Sequence, residues 1–550
     1  MTNRAWLAAA GLAALAWMAS AGRAGAFFVD EANTLSVVTK LQARISVRTD
    51  DSTGFTFPRV EAGDLVQQRN LALVEINHDL RDLTRTLDLM APLRALDLSV
   101  TYHLLGRFLY EGVYDYGAEP FQDVQERDPE NIDAFKQSYE LWEAYADIYR
   151  GPLSLRIGRQ NLSWGETDVF RLLDSINPLD NTFGGPFEDL DDRRIPLWML
   201  RGSYNLGTVG PASSLTLEGF WVPGFWDAHV APFAPVGTPY AVPLPTDLAR
   251  FLRFSYPDKK MENSRWGFRL MGMLAPNWNV AIAHYKTFPD APALRAVVDE
   301  SKLGVRIGGD LLLTDINAMY LEASYPGVQI TGASTSYWEP HLDAVLRGEV
   351  AWFRDEPMLI PEENLSVLFG PVLPLPDQLL DLASRAYGVD IRKLGLSGIP
   401  LNPRTGTIPE RDVLRYMIGI DRQTWIRALN RASTFYLSFQ CFGQWIPDYD
   451  KRMRQGLSLY PMPVDFAAQK ETEHILTGAA NSTYWHGRLT PQLALAYDVR
   501  GAWLVQPSLN CAWDPFRLML QYSSIFGQSV SFGAFRDRDQ ATFIVTYLMD

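Results

Sequence analysis

The residues able to do chemistry fall at alternate positions of long apolar runs. Asp97, His103, Arg107 and Glu111 share one parity within 96–111, and Glu143 and Asp147 do so within 142–149. Arg347 and Glu349, Arg415 and Asp421, and Arg517 repeat the arrangement further along. Period-two spacing puts such groups on one face of a strand, with apolar neighbours on the other. Both signs of charge are present, which suits ion pairs between neighbouring strands or a polar channel lining, and does not make a single-sign filter. Catalysis has less to stand on. The seven histidines, His78, His103, His229, His284, His341, His474 and His486, lie in no nucleophile or metal motif. There is no Gly-x-Ser-x-Gly and no His-Glu-x-x-His, so an enzyme is not expected, and neither a cofactor nor a metal is called for. Cys441 and Cys511 fall on the apolar parity and are expected to stay unpaired.

The elements that position these groups read as strands. Leu96, Leu98, Val100, Tyr102, Leu104, Phe108 and Tyr110 alternate with the polar set. A run of that length is long enough to cross a bilayer at a tilt. The pattern recurs at 41–48, 142–149, 346–352, 414–421, 434–440 and 516–523. Tight turns are expected at Arg150-Gly151-Pro152, Ala275-Pro276-Asn277 and Asp514-Pro515. Long connections are expected at 111–138, 164–196, 223–263, 355–410 and 444–471. Short turns at one end and long loops at the other are the mark of an outer-membrane barrel. The fold class expected is all-β: a large antiparallel transmembrane β-barrel of about 16–20 strands. Stretches 326–343 and 503–515 read least clearly as strands, and the last segment, 541–549, is expected to close on the first.

Tryptophans mark the ends of many of these runs: Trp164, Trp198, Trp221, Trp266, Trp278, Trp352, Trp425, Trp485, Trp503 and Trp513. They are expected at the two membrane rims, where amphipathic rings suit the headgroup level. The first 26 residues read as a secretory signal, with Arg4, an apolar stretch from Ala5 to Ala21, and Ala24-Gly25-Ala26 before Phe27. Residues 27–550 are then the barrel of a Gram-negative outer membrane, in contact with its lipids and lipopolysaccharide. The chain carries 50 Lys+Arg against 64 Asp+Glu, a formal charge of −14, which argues against nucleic acid as a partner.

Several motifs occur in a fixed order. Leu155-Arg156-Ile157-Gly158-Arg159-Gln160 is followed by Trp164-Gly165-Glu166. Asp174-Ser175-Ile176-Asn177-Pro178-Leu179-Asp180 and Arg194-Ile195-Pro196 come next. Leu346-Arg347-Gly348-Glu349 and Met417-Ile418-Gly419-Ile420-Asp421-Arg422 appear in the second half. Together they resemble a proteobacterial outer-membrane barrel family, domain of unknown function thirteen hundred and two. The resemblance covers most of residues 40–549 and brings no catalytic or binding residues with it. It implies an outer-membrane site and a role in moving or binding something hydrophobic or lipid-like, with periplasmic export or lipid-transfer components as partners. Within the motif Arg159 breaks the alternation: either it lies above the rim, or a bulge at Gly158 turns it inward.

The connection 355–410 holds a stiff apolar run, Pro371 to Pro376, and a helical pattern over 377–387 stopped by Gly388. It is expected either to fold into the mouth as a lid or plug or to pack on the surface. The stretch 223–250, with Pro223, Phe225, Trp226, Phe233 and Tyr240, is similarly apolar. The acidic run 188–192 beside Arg193 and Arg194 reads as a solvated, self-paired loop, without the spacing of a calcium site. The function expected is a channel or transporter for a hydrophobic or amphipathic small molecule. The alternatives are a general polar porin and a structural component of an envelope complex.

Overall fold

The structure is a computed structural model. It describes residues 27–28, 34–51, 59–80, 95–127, 129–184, 187–241, 251–302, 305–307, 309–313, 315–387, 390, 392, 396–455, 467–528 and 530–549. The signal segment expected over 1–26 and the helix stop at Gly388 lie outside these.

Eighteen strands form the wall. The first nine are β1 (Leu35–Arg48), β2 (Leu65–Asp79), β3 (Ser99–Glu111), β4 (Gln137–Arg150), β5 (Leu153–Gln160), β6 (Leu197–Val209), β7 (Ala212–Val222), β8 (Arg265–Ala275) and β9 (Trp278–Thr287). The second nine are β10 (Val328–Glu339), β11 (Ala344–Pro357), β12 (Glu410–Thr424), β13 (Phe435–Trp445), β14 (Thr472–Ser482), β15 (Leu489–Asp498), β16 (Ala502–Trp513), β17 (Phe516–Gly527) and β18 (Gln540–Met549). Each pairs antiparallel with its neighbour, and β18 returns to β1 from Thr39↔Met549 to Arg48↔Gln540, so the sheet has no free edge. The two stretches that read least clearly, 326–343 and 503–515, are β10 and β16. A two-residue strand, Phe27–Phe28, lies against the start of β1.

The strand ends sort as the turn chemistry requires. Connections 151–152, 210–211, 276–277, 340–343 and 514–515 are tight and share one end of the barrel with both chain termini. Connections 112–136, 161–196, 223–264, 288–327, 358–409 and 446–471 lie at the other. That assigns the first end to the periplasm and the second to the exterior. The 80–98 and 425–434 links are longer exceptions on the periplasmic side, and 499–501 is a short one on the exterior. Outward positions carry apolar side chains, with Ile282 62% and Ile418 68% exposed. Trp198, Trp221, Trp266, Trp352 and Trp503 stand toward the outer rim; Trp278, Trp425, Trp485 and Trp513 stand toward the inner one. An apolar band between two tryptophan girdles on a closed barrel is an outer-membrane protein. Among the described residues no helix is long and apolar enough to cross a membrane.

Trp164 departs from its girdle. It is 1% exposed and sits inside the barrel, edge-on to Phe220 of β7 and Tyr285 of β9 at 5.2 and 5.8 Å between ring centroids. The connection it belongs to, 161–196, folds into the lumen. The connection 358–409, for which the sequence leaves open both a place in the mouth and a place on the surface, builds an outer cap. Its helix Asp377–Tyr387 packs Leu380 against a core containing Phe251, Val298, Ile316 and Met319, beside a small sheet of Leu252–Ser255, Ala293–Val298 and Met319–Ser324. Among its described residues the root, Met358 and Ile360, reaches the barrel core. Leu380, Ala383 and Tyr387 of that helix are covered within the cap, while Leu379 and Leu382 stay exposed.

Candidate functional site

The segment 161–196 crosses the lumen, and the ordered motifs at 155–180 are what throw it across. At its neck Asn177 is fully enclosed. Its side-chain oxygen accepts the Leu162 amide at 2.9 Å, and its amide group donates to the carbonyls of Ile195 (2.8 Å) and Gln160 (3.3 Å). The Pro178 carbonyl accepts the Ile195 N–H at 2.9 Å. Asp174 accepts the Trp164 amide at 3.2 Å and pairs with Arg194. Burial pushes the Asp174 carboxyl above its ordinary range, against the pull of Arg171 and Arg194. Gln160, also enclosed, donates to the carbonyls of Met199 and Gly158 at 3.1 and 3.3 Å. Asn177 thus uses its oxygen and its amide group on three backbone partners, which makes the turn it holds specific.

From the neck the segment reaches the opposite wall. Gly165, at φ +121°, makes a turn that an L side chain rarely adopts, and any Cβ there would crowd the Glu349 carboxylate. Glu349 of β11 accepts the amides of Glu166 and Leu173 at 2.5 and 2.6 Å. Arg347, two residues before it, donates to the Glu166 carbonyl at 2.7 Å and to both Asp168 oxygens at 2.9 and 2.6 Å, and is held by Asp421 at 2.7 Å. Gln440 of β13 donates to Asp168 at 2.6 Å. Tyr285 and Thr287 of β9 donate to the Leu173 and Ser175 carbonyls at 2.9 and 3.1 Å.

The far tip docks on a third side. The Phe187 carbonyl accepts from Gln506 of β16 at 3.0 Å, Arg69 of β2 lies 3.5 Å over the Phe183 ring, and Glu188 pairs with Arg44 of β1. Glu188 is thus enclosed against Arg44, a correction to the solvated loop expected for 188–192. Asp191 stays exposed beside Arg194 at 2.6 Å.

The other charged groups divide. His103 stacks on Tyr145 at 4.7 Å and meets Asn77 at 2.7 Å. Glu143 accepts from Asn161 at 2.7 Å, and Asp147 pairs with Arg156 at 2.7 Å. Arg107 pairs with Glu140 at 3.1 Å, and Glu111 accepts the Gln68 amide at 2.7 Å. Arg415 pairs with Glu356 at 2.6 Å. Arg517 stands exposed at the periplasmic end of β17, 3.5 Å from Asp514. Asp97 does not lie on a strand: β3 begins at Ser99, and Asp97 sits exposed at φ +53° in the turn before it.

Arg159 is turned by a neighbour. The β3–β4 ladder steps from Leu105↔Glu143 to Gly106↔Leu141, leaving Trp142 as the extra residue. The Trp142 ring then meets Arg107 at 3.3 Å and Arg159 at 5.2 Å, with the Arg159 guanidinium donating to the Leu141 carbonyl at 2.7 Å. The bulge lies at Trp142 and not at Gly158, although Gly158 does hold φ +136°.

Between the crossing segment, the cap and β12–β16 lies a chamber of about 900 Å³. Its walls carry the rings of Phe170, Phe187, Phe233, Phe353, Phe442 and Phe532. Charged side chains such as Arg415 and Glu473 stand among them, and Arg415 lies 4.3 Å over the Phe353 ring. Among the described residues no group of three or more His, Cys, Asp or Glu is placed to hold a metal.

Residues 5–548 match the family described as Protein of unknown function (DUF1302). The chain belongs to this family. Of the residues singled out in the ordered motifs, Gln160, Trp164, Asn177 and Pro178 build the neck of the internal loop, Gly158 and Arg159 precede it on β5, Gly165 turns the segment against Glu349, and Arg156 pairs with Asp147 within the wall. No curated protein matches the sequence. Among solved structures the DUF1302 chain is similar to the outer membrane protein OpdK from Pseudomonas aeruginosa, at 9% identity, with 95% of this chain and 99% of that one covered and a TM-score of 0.42. It is also similar to OccK9 (OpdG) of the same organism, at 12%, 96%, 100% and 0.44 in the same order. For a BenF-like porin from Pseudomonas fluorescens Pf-5 the values are 10%, 95%, 100% and 0.44. Likeness at this level says nothing of what the DUF1302 chain binds.

Proposed function

We propose that this protein is an outer-membrane channel whose chamber takes up a hydrophobic or amphipathic small molecule. The observation that carries the reading is the chamber itself, about 900 Å³ in volume and walled by aromatic rings with charged groups of both signs among them, a lining suited to a molecule with an apolar and a polar part. Ligand sites of this kind measure about 300–1,000 Å³ and combine apolar walls with few, fixed polar groups. A wide polar pore is disfavoured by the docked segment, whose Trp164 and Leu173 fill lumen that such a pore would leave to water.

Decanoate, with one apolar and one charged end, tests the proposal on single-channel current of residues 27–550 in a planar bilayer. Saturable interruptions of the current are expected. They are expected to disappear when Phe170 and Phe442, whose rings meet at 5.2 Å, are both changed to Ala. A steady current indifferent to decanoate would refute the proposal.

A further inference from the structure

Proline is rare inside a sheet because it lacks the N–H that a ladder requires, and a closed barrel has no edge on which to hide it. This wall holds two prolines on adjacent strands, Pro491 in β15 and Pro507 in β16. β15 and β16 pair with each other without interruption from Leu489↔Cys511 to Asp498↔Ala502 and are joined by the short link 499–501. Toward their outer neighbours the ladders are incomplete. Between β16 and β17 the pairing runs to Val505↔Ser524 and resumes at Ser508↔Gln521 in the same register. The omitted rungs are those of Gln506 with Ser523 and Pro507 with Tyr522. Between β14 and β15 the pairing runs to Asn481↔Gln492, breaks at Pro491, and resumes at the bridge Tyr484↔Leu489 in the same register. A hairpin paired without interruption within itself and missing rungs at a proline on each flank has a built-in place to separate from its neighbours.

What lies on each side of this hairpin gives it a use. Pro507 and Tyr522 stand on the lipid face, both exposed. Behind them, Gln492, Ala494, Ala496, Leu504 and Gln506 line the chamber, small or uncharged throughout. Gln506 is also the residue that holds the tip of the crossing segment, through the Phe187 carbonyl, and it reaches Ser523 at 3.1 Å across the interrupted rungs. The loop tip, the chamber and the weak seam thus meet at one place near the middle of the wall.

We propose that the β15–β16 hairpin is a panel through which an uncharged, lipid-soluble molecule passes between the chamber and the membrane core. The proposal rests on the chamber reading above and adds its route. Passage sideways spares an apolar molecule the aqueous phase, and the part of the panel's inner face that lines the chamber is uncharged, the acid of that face, Asp498, lying at its outer end paired with Arg500.

The test places a cysteine on the chamber side of the panel, Ala494→Cys, with Cys441 and Cys511 changed to Ala. The protein is held in lipid nanodiscs. N-(1-pyrenyl)maleimide, dissolved in the lipid, probes the lateral route; a charged, water-soluble maleimide probes the mouth. Pro507→Val restores the missing donor, and Pro507→Ala does so where Val does not assemble. Labelling by the pyrenyl reagent is expected to be lost on restoring the donor, while labelling by the water-soluble reagent stays unchanged. Equal pyrenyl labelling with and without Pro507 overturns the panel and leaves the chamber standing. No labelling of Cys at 494 by either reagent overturns both.

Discussion

The Glu349 carboxylate accepts the Leu173 amide at 2.6 Å across the barrel interior, and its other oxygen takes the Glu166 amide at 2.5 Å. One side chain of the wall thereby closes two backbone donors of the crossing segment. Each such donor, once orphaned in an enclosed site, costs about 1–3 kcal/mol. Glu349→Ala is expected to leave the barrel assembled but free the segment, seen as larger and noisier single-channel currents. Glu349→Gln, which keeps one acceptor, is expected to fall between. Identical currents in all three would mean that the segment is held elsewhere.

Trp164 fills the space between Phe220, Tyr285 and the neck. Its removal creates a cavity that the stiff barrel wall cannot close, and Trp→Ala changes in cores cost about 3–5 kcal/mol. Trp164→Ala is expected to lower the thermal unfolding midpoint of the refolded protein markedly. No shift would show that the ring is not packed as described.

At the loop tip, Arg44 and Glu188 form an enclosed pair. Removing one partner leaves a buried charge alone, at a cost of about 3–5 kcal/mol, whereas replacing both with apolar side chains is often close to neutral. Arg44→Met is therefore expected to destabilise strongly, and Arg44→Met with Glu188→Leu to recover most of the loss in urea unfolding. A double variant as unstable as the single one would contradict the pairing.

The outer segment 223–230 is tied to β6 by Asp227, which accepts the Trp198 amide at 2.8 Å and the His229 ring N–H at 2.7 Å. Burial works to raise this carboxyl, but the bonds from His229 and the two amides outweigh it and hold it below the usual range. A depressed folded value means that the stabilisation is present above the ordinary aspartate range and lost as pH falls through the lowered one. Protease cleavage within 223–264 is expected to rise only in that acidic window, and Asp227→Asn to remove the pH dependence. A flat profile for the native chain would contradict it.

How far the sequence could be read depended on what each signal needs. Alternation is a local property, so Arg44, His103, Arg347 and Asp421 could be placed on the inner face from their neighbours alone. The bulge at Trp142 could not, because one extra residue changes parity without changing composition. Trp164 carried the same rim signal as Trp198, yet is buried, since neither composition nor spacing records which way a long connection turns. The apolar density of 355–410 was visible, but its partner, the sheet holding Val298 and Met319, is assembled from distant stretches. The ordered motifs at 155–180 were legible as a signature and not as a clasp, because Asn177 and Gln160 act through backbone groups that no side-chain pattern reveals. The stretch 503–515 read poorly as a strand, and the rungs missing at Pro507 give a physical reason for it.

The central claim is that the segment 161–196 crosses the lumen and bounds the chamber. Single-channel conductance of residues 27–550 against a variant with 167–188 replaced by a short Gly/Ser linker tests it most directly. The account expects small steps in the native protein and large, steady ones once the segment is gone. Equal conductance in the two proteins would contradict it.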